Sequence, residues 1–189
     1  MEPKSAMKTL YLERSTGECR DGKWVERLDL GDIGRIVVGT GPGSFAGIRS
    51  ALAFAQGFAL GRSCEVLGLP SACAIAAQVY RSDPQCRRLA VVGDSRRGMA
   101  WVALFEGFDL VREVFQVPQS ELAAAVPAEC PVTTPDDKRL DAVLRETFGA
   151  RYLGGTQPTS EGLRLFAEAN PAVLSPEPLP IYLNPAVRP

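Results

Sequence analysis

The apolar and polar positions along the chain follow two periods, one typical of strands and one typical of helices. Short alternating or β-branched runs predict strands at residues 8–13, 18–20, 23–30, 35–39, 64–69, 89–94, 99–106, 111–117, 130–133 and 151–153. Apolar residues that recur every three to four positions predict helices at residues 44–60, 72–80, 120–126, 140–148 and 160–169. Because strands and helices alternate over most of the chain, the pattern predicts an α/β fold.

The predicted elements follow a similar order in the two halves of the chain. Each half begins with strands and continues with helices and strands in alternation, although the residues themselves do not repeat. Turn residues cluster at Ser82-Asp83-Pro84, and the periodicity restarts beyond them. We therefore predict an N-terminal lobe of residues 1–83, a C-terminal lobe of residues 84–170 and an extended, proline-rich surface tail of residues 171–189.

Composition and charge narrow the class of protein. The hydrophobic share of 46% and the charged share of 23% are those of an ordinary globular protein. A net charge of -1 creates no overall field that would attract a phosphate backbone, so direct and tight nucleic-acid binding is not predicted. The apolar stretches are interrupted by polar residues, and the five scattered cysteines include no C-x-x-C pair. We expect a cytoplasmic protein that is neither exported nor inserted into a membrane.

The chain contains no histidine. This absence excludes Ser-His-Asp and Cys-His nucleophile systems, HExxH metalloproteases and histidine-liganded metals. Any catalysis would have to use carboxylates, Lys or Tyr. The paired acids lie in predicted loops or hairpins and nothing places them across a cleft, so we predict no catalytic residue and no metal site.

A glycine-rich turn, Gly39-Thr40-Gly41-Pro42-Gly43-Ser44, joins a predicted strand to the longest predicted helix. Backbone N–H groups and the helix dipole at such a junction can hold an anion, so one interpretation is a phosphate site at Gly41, Gly43 and Ser44. The dinucleotide fingerprint Gly41-x-Gly43-x-x-Ala46 is present, but no acid stands at the end of the next strand. The plainer interpretation is a tight turn in which Ser44 caps a core helix.

The helix that follows this turn is apolar nearly all round. A helix in a chain of this size usually buries one stripe, so a second apolar face implies cover from another surface. Small residues four apart would let a second helix approach closely. We predict a helix-to-helix partner interface, and we expect bulky residues at Gly47 or Ala51 to weaken association while leaving the fold intact. The predicted contact residues are Gly43, Phe45, Gly47, Ile48, Arg49, Ala51, Leu52 and Ala55.

A second charged motif lies in the C-terminal half, at Asp94-Ser95-Arg96-Arg97-Gly98. Its two guanidinium groups could bind phosphate or the carboxylates of a partner. The alternative is a solvated hairpin turn without a ligand.

Three segments together resemble a known family. They are GTGPGSFAGIRSALAFAQGFALG from Gly39 to Gly61, VGDSRRGMAWVALFE from Val92 to Glu106, and LPIYL from Leu179 to Leu183. These segments are similar to the glycine-turn helix, the Asp-x-Arg-x-Gly hairpin and the C-terminal Pro-x-Tyr-Leu of the bacterial TsaB family, also called YeaZ. The match is close between Arg35 and Glu106 and loose elsewhere.

The resemblance implies a two-lobed fold of the actin-like ATPase and sugar kinase type, with duplicated βββαβα lobes. It also implies an inactive relative of the threonylcarbamoyl transferase, which pairs with that catalytic subunit and with a small ATPase to make N6-threonylcarbamoyladenosine in tRNA. Without these partners the chain would form a homodimer, and it would meet tRNA only indirectly. No cofactor of its own is implied, although ATP or ADP could lodge at the partner interface.

The chain departs from the family pattern near its beginning. The family's Asp-Thr-Ser loop is replaced by Leu12-Glu13-Arg14-Ser15-Thr16, and the helix expected before Arg35 is apparently missing. Half of the usual helix bundle is therefore in question. Two alternatives stay open: a nucleotide-binding protein or enzyme of the same fold, and a truncated paralogue that only self-associates.

Overall fold

The computed structural model describes residues 8–16 and 30–183. Its strands are β1 (Lys8–Leu12), β2 (Ile33–Gly39), β3 (Glu65–Leu69), β4 (Arg88–Asp94), β5 (Met99–Glu106), β6 (Asp109–Pro118), β7 (Val132–Thr134) and β8 (Tyr152–Gly155). Its helices are α1 (Phe45–Ala59), α2 (Ser71–Ser82), α3 (Leu122–Ala125), α4 (Asp137–Phe148) and α5 (Ser160–Ala169). Each element that the periodicity predicts inside these ranges is confirmed, with ends that shift by a few residues. The predicted strand 18–20 and most of the predicted strand 23–30 lie outside the described residues. Between Leu30 and Arg35, where the family's helix is expected to be missing, the chain turns at residues 31–32 and enters β2 at Ile33.

The described strands form two sheets. The first is fully parallel in the order β1-β2-β3, and the second has the order β6-β5-β4-β7-β8. In the second sheet β4 pairs antiparallel with β5 and parallel with β7, and β8 extends the parallel part. The boundary predicted at residue 83 falls between the last strand of the first sheet and the first strand of the second.

Helices cover both faces of each sheet, because each sheet has apolar side chains on both faces. One core joins the inner faces of both sheets through α2 and α5, with Val37, Trp101 and Phe166 among its members. A second core packs α3 and α4 on the outer face of the second sheet. A third core packs α1 on the outer face of the first sheet. The fold therefore has five layers, and α1 is an outermost one.

α5 belongs to the C-terminal half in sequence but packs against the N-terminal half. A Cβ atom on Gly162 would lie 2.3 Å from the carbonyl oxygen of Ala74, so α5 and α2 approach each other backbone to backbone. The two lobes share this helix layer. No helix in the described part of the chain combines the length and the apolar character needed to cross a membrane.

The end of the described chain returns to the first sheet. Ser175 and Gly68 exchange two backbone hydrogen bonds of 2.9 and 2.8 Å, which form an isolated antiparallel bridge at the edge strand β3. Farther on, Ile181 N donates to the Thr40 carbonyl at 2.8 Å. We call residues 175–183 the C-terminal strap. It is extended, and it is attached at both of these points. The first residues of the predicted tail, Pro171–Val173, form a short 3-10 helix instead.

Candidate functional site

The loop that follows β1 packs directly on the glycine-rich turn. β1 and β2 are parallel neighbours, so the segments that follow them meet at one edge of the sheet. Ser44 N donates to the Ser15 carbonyl at 2.5 Å. A Cβ atom on Gly43 would lie 2.4 Å from the Ser15 carbonyl oxygen, and one on Gly47 would lie 2.0 Å from the Arg14 carbonyl oxygen. The small residues at these two positions therefore make room for the chain's own loop.

Glu13 is a partly buried residue at this same edge, and its carboxyl oxygen Oε2 is enclosed. Its Oε1 accepts a hydrogen bond from Ser15 N at 2.6 Å, whereas its Oε2 is buried and has no hydrogen-bond partner. A Cβ atom on Gly39 would lie 2.0 Å from Oε2, so the carboxyl group rests on the end of β2. Burial raises the pKa of Glu13, and hydrogen bonds from Ser15 offset part of that rise. The carboxyl group orders the loop.

The predicted phosphate site does not form as expected at two of its three residues. Gly41 N donates to Ser71 Oγ at 3.0 Å, and Ser44 N donates to the Ser15 carbonyl. The chain itself uses these N–H groups, because loops from three strands converge on the turn. The Ser44 side chain accepts from Gly47 N at 3.3 Å, which agrees with the interpretation of Ser44 as a helix cap. Of the three residues, phosphate binding remains a prediction for Gly43 alone.

Five of the predicted partner contacts lie inside the chain. Gly47, Ile48, Ala51, Leu52 and Ala55 are the buried residues of α1, and they face the first sheet. They cannot touch a partner, so this part of the predicted interface is wrong. The expectation that bulky residues at Gly47 or Ala51 would spare the fold is wrong for the same reason. Periodicity identified the apolar positions, but it could not tell which stripe the chain's own sheet would cover.

The remaining predicted contacts, Gly43, Phe45 and Arg49, are exposed, and as partner contacts they stay a prediction. α1 presents one continuous exposed arc, which we call its outer face. The outer face consists of Phe45, Ala46, Arg49, Ser50, Ala53, Gln56 and Gly57. Most of these side chains are apolar or small, and Arg49 is the one charged residue among them.

The strap adds an aromatic residue beside this outer face. The rings of Tyr182 and Phe45 contact each other in a tilted arrangement, with centroids 5.0 Å apart, and the two residues are 44% and 43% exposed. Arg49 Nε donates to the Tyr182 hydroxyl at 3.0 Å, and its guanidinium carbon lies 4.2 Å from the Phe45 ring centroid. Residues 133 positions apart in the sequence therefore form one surface cluster.

Sequence reasoning gave no role to Tyr182 or to Glu13. Tyr182 lies in the LPIYL segment, which contributes only to the family resemblance, and Glu13 lies in the segment that departs from the family pattern. A tyrosine in a proline-rich tail and an acid after a short strand are common on surfaces, so neither carried a signal without the contacts that the fold creates.

The hairpin at residues 95–98 is partly neutralised by neighbouring acids. Arg96 and Arg97 adopt the left-handed conformation, with φ of 67° and 55°. The Asp94 side chain is 9% exposed; its Oδ2 lies 2.8 Å from Arg139 Nη1 and 3.8 Å from Arg96 Nε. Asp136 Oδ2 accepts from Asp94 N at 2.8 Å, and burial raises the pKa of Asp136. These contacts order the turn. Of the charged side chains in the hairpin, Arg97 has no hydrogen-bond or ion-pair partner within residues 8–16 and 30–183.

Cysteine and acidic side chains do not assemble into a metal centre in the part that the structure describes. No group of three or more Cys, Asp or Glu residues there could hold an ion. Four described cysteines, Cys64, Cys73, Cys86 and Cys130, are free thiols.

Comparisons with known proteins agree on one family. The sequence profile described as TsaD, tRNA N6-adenosine threonylcarbamoyltransferase, matches residues 25–134, which are more than half of the chain. The tRNA threonylcarbamoyladenosine biosynthesis protein TsaB of Escherichia coli (strain K12) is 35% identical over 77 residues, which are 41% of this chain and 33% of that protein. TsaB of Buchnera aphidicola subsp. Baizongia pistaciae (strain Bp) is 33% identical over 82 residues, which are 43% of this chain and 37% of that protein. The chain thus spans only about a third of the length of these curated relatives.

Solved structures agree on the fold. YeaZ from Pseudomonas aeruginosa has a TM-score of 0.71 at 20% identity, covering 94% of this chain and 100% of that one. A protein described as similar to peptidase YEAZ from Pseudomonas aeruginosa has a TM-score of 0.62 at 22% identity, covering 87% of this chain and 80% of that one. These matches and the TsaD-like profile confirm the predicted fold of the actin-like ATPase and sugar kinase type. The chain therefore belongs to the TsaB/YeaZ family, and it carries a TsaD-like domain.

Proposed function

We propose that this chain is a non-catalytic docking and dimerisation subunit that supports the synthesis of N6-threonylcarbamoyladenosine in tRNA. Family membership is the observation that carries the proposal, since both curated relatives are named as threonylcarbamoyladenosine biosynthesis proteins. The matching profile covers β2, the glycine-rich turn and α1, so it includes the outer face of α1 but not the strap. The chain would act in the cytoplasm beside the threonylcarbamoyl transferase and a small ATPase, and it would contact tRNA only through them.

Two observations support a non-catalytic role. The chain has no histidine to act as a base, a nucleophile or a metal ligand. At the glycine-rich turn, the N–H groups of Gly41 and Ser44 already serve the chain's own Ser71 and Ser15. These contacts argue against the alternative of a nucleotide-binding enzyme that uses this turn.

The outer face of α1 supports the docking part of the proposal. The inner stripe of α1 satisfies the chain's own core, so the exposed arc is available to another molecule. Phe45, Arg49 and Tyr182 are of the residue types that dominate binding energy at protein interfaces. The transferase subunit is the proposed occupant, and a second copy of the chain would occupy this face when the transferase is absent.

Reconstitution tests this function. The chain is purified with the transferase and ATPase subunits of the same organism, and threonylcarbamoyladenosine in tRNA is measured by nucleoside mass spectrometry. We expect modification to require this chain, and the chain alone to give none. Ala53→Glu on the outer face of α1 should reduce both co-purification and modification, whereas Ala142→Glu, at an exposed alanine of α4, should leave both unchanged.

Two results would overturn the proposal. One is full modification without the chain, together with no co-purification. The other is turnover of ATP by the isolated chain with tight nucleotide binding in calorimetry, which would favour the enzyme alternative. Self-association without any binding to the transferase would favour the truncated paralogue.

A further inference from the structure

We propose that the strap and α1 together form a pre-oriented arginine site that binds a carboxylate of the partner protein. The site consists of Phe45, Arg49 and Tyr182. This inference rests on the proposed function, because it specifies the chemistry of the surface through which the chain docks.

The guanidinium group of Arg49 is held on two sides. Its Nε donates to the Tyr182 hydroxyl at 3.0 Å, and its flat face covers the Phe45 ring at 4.2 Å. Tyr182 also flanks it, with 5.9 Å between the guanidinium carbon and the ring centroid. Nη1 and Nη2 have no hydrogen-bond or ion-pair partner among residues 8–16 and 30–183. These two nitrogens form the end-on fork that binds a carboxylate through two parallel hydrogen bonds.

The charge of Arg49 is not balanced within its own helix. α1 has no acidic residue, and Arg49 is its only charged residue. The two side chains that contact Arg49 are aromatic, and both are nearly half exposed. Within α1 and the described strap, a single cation beside exposed aromatic rings is the complement of a partner surface that is apolar and carries one carboxylate.

These features favour a protein over a nucleic acid as the occupant. Binding to a phosphate backbone requires several cations spread along the strand. α1 and the strap together supply one cation, Arg49, and one acid, Glu177. The aromatic rings at the site already contact each other and the guanidinium group, which leaves less ring surface for a base to stack on.

The strap explains why the arginine is pre-oriented. The strap is attached to β3 through Ser175 and to the end of β2 through Ile181, next to Tyr182. A tyrosine held in this way fixes the long arginine side chain before the partner arrives. Less side-chain entropy is then lost on binding, so the strap contributes to affinity without covering the outer face.

Calorimetric titration of the purified transferase subunit into this chain tests the site, with a thermal melt of each variant as a check on folding. We expect Arg49→Ala to raise the dissociation constant about 30-fold. Arg49→Lys should recover only a small part of the lost affinity, because an ammonium group cannot form the two parallel hydrogen bonds. Tyr182→Phe keeps the ring and loses the hydroxyl, and should weaken binding about 3- to 10-fold. Ala142→Glu should bind as the unmodified chain does.

The salt dependence of binding distinguishes a charge contact by Arg49 from a purely structural role, which would not change that dependence. Binding of the unmodified chain should weaken as ionic strength rises, and Arg49→Ala should show a flatter dependence. If Ala53→Glu weakens binding but the Arg49 and Tyr182 variants match the control, the arginine site is wrong and the proposed function survives. If none of the variants, including Ala53→Glu, weakens binding, the docking surface of the proposed function is also wrong.

Two further outcomes would transfer the site to another occupant and so overturn the proposal. One is a loss of tRNA binding in Arg49→Ala with transferase binding unchanged, which would point to a phosphate ligand. The other is a loss of self-association in both Arg49→Ala and Glu177→Gln with transferase binding unchanged, which would point to a second copy of this chain.

Discussion

The carboxyl edges of the two sheets are closed by different kinds of interaction. At the first sheet, the loop after β1, the glycine-rich turn and the strap meet mainly through backbone atoms, with one buried carboxyl group, Glu13, among them. At the second sheet, the end of β4 is closed by charged side chains, with Asp94 between Arg139 and Arg96. The arginines there are 46% and 64% exposed.

This difference indicates how each edge responds to change. Backbone contacts leave no room for added atoms and are little affected by salt, so the first edge should be sensitive to volume and to burial of charge. At the second edge the arginines are about half exposed, so solvent and salt screen their charges, and Arg96 stays near Asp94 when Arg139 is removed. The second edge should therefore tolerate substitution of a single arginine. The following predictions test that contrast.

The largest expected effect is that of a single methyl group on α1. In Gly47→Ala the new Cβ would meet the Arg14 carbonyl oxygen at 2.0 Å, and neither backbone can easily retreat. We expect a loss of about 2–3 kcal/mol in the free energy of unfolding, measured by urea denaturation. The matched control is Gly57→Ala in the same helix, where a Cβ atom would meet nothing within 4 Å. This variant should gain about 0.5–1 kcal/mol in the free energy of unfolding. Equal effects at both sites would contradict close packing at the first edge.

Removal of the strap should have the next largest effect. Truncation after Leu174 eliminates the two hydrogen bonds between Gly68 and Ser175 and the one from Ile181 to Thr40. We expect a loss of about 2 kcal/mol in the free energy of unfolding, since each bond contributes on the order of 0.5–1.5 kcal/mol. A chain that lacks only residues 184–189 is the control. If both truncations have the same stability, the strap is not a structural part of the first edge.

The buried carboxyl group should make stability depend on pH. The pKa of Glu13 is raised in the folded chain, so between its unfolded and folded values the folded state binds more protons. The contribution of Glu13 to the free energy of unfolding therefore falls as the pH rises through that window, and it returns when the pH is lowered again. Glu13→Gln should remove this dependence and raise stability at pH 8 by about 1 kcal/mol, because no charge is then buried beside the unpartnered Oε2 position. Glu113→Gln, at an exposed position of β6, should do neither.

The smallest effect is expected at the second edge. Arg139→Ala removes the 2.8 Å ion pair with Asp94, while Arg96 stays nearby. We expect a loss of about 0.5 kcal/mol or less in the free energy of unfolding, and a smaller loss at 0.5 M salt than at low salt. Lys138→Ala, an adjacent exposed cation, serves as the control. A loss as large as that of Gly47→Ala would remove the distinction between the two edges.

The succession of strands and helices was predictable because it depends on local periodicity. β5 and α5 were predicted with the bounds that they have, and α1 within one residue at each end. The site was only partly predictable. Ser44 as a helix cap follows from its place before an apolar run, and the exposure of Arg49 agrees with the prediction that α1 has a face outside the core.

The packing around α1 was not predictable in the same way. Gly47 was predicted to face a partner helix, but it faces Arg14, because the loop after β1 turns back over the helix start. Small residues permit the close approach of any backbone segment, and their spacing in the sequence does not indicate which segment will pack there. Only the register of β1 beside β2 brings that loop to the turn.

The sequence by itself determined the α/β class, the order of elements, the absence of histidine chemistry and the apolar character of α1, since these depend on residue type and on periods of two or about four positions. Tertiary structure decided which face of α1 is covered, which N–H groups of the glycine-rich turn are already bonded, and that Tyr182 lies against Arg49. Those facts depend on contacts between segments far apart in the chain. Such contacts are selected by the packing of the whole core, which no local pattern encodes.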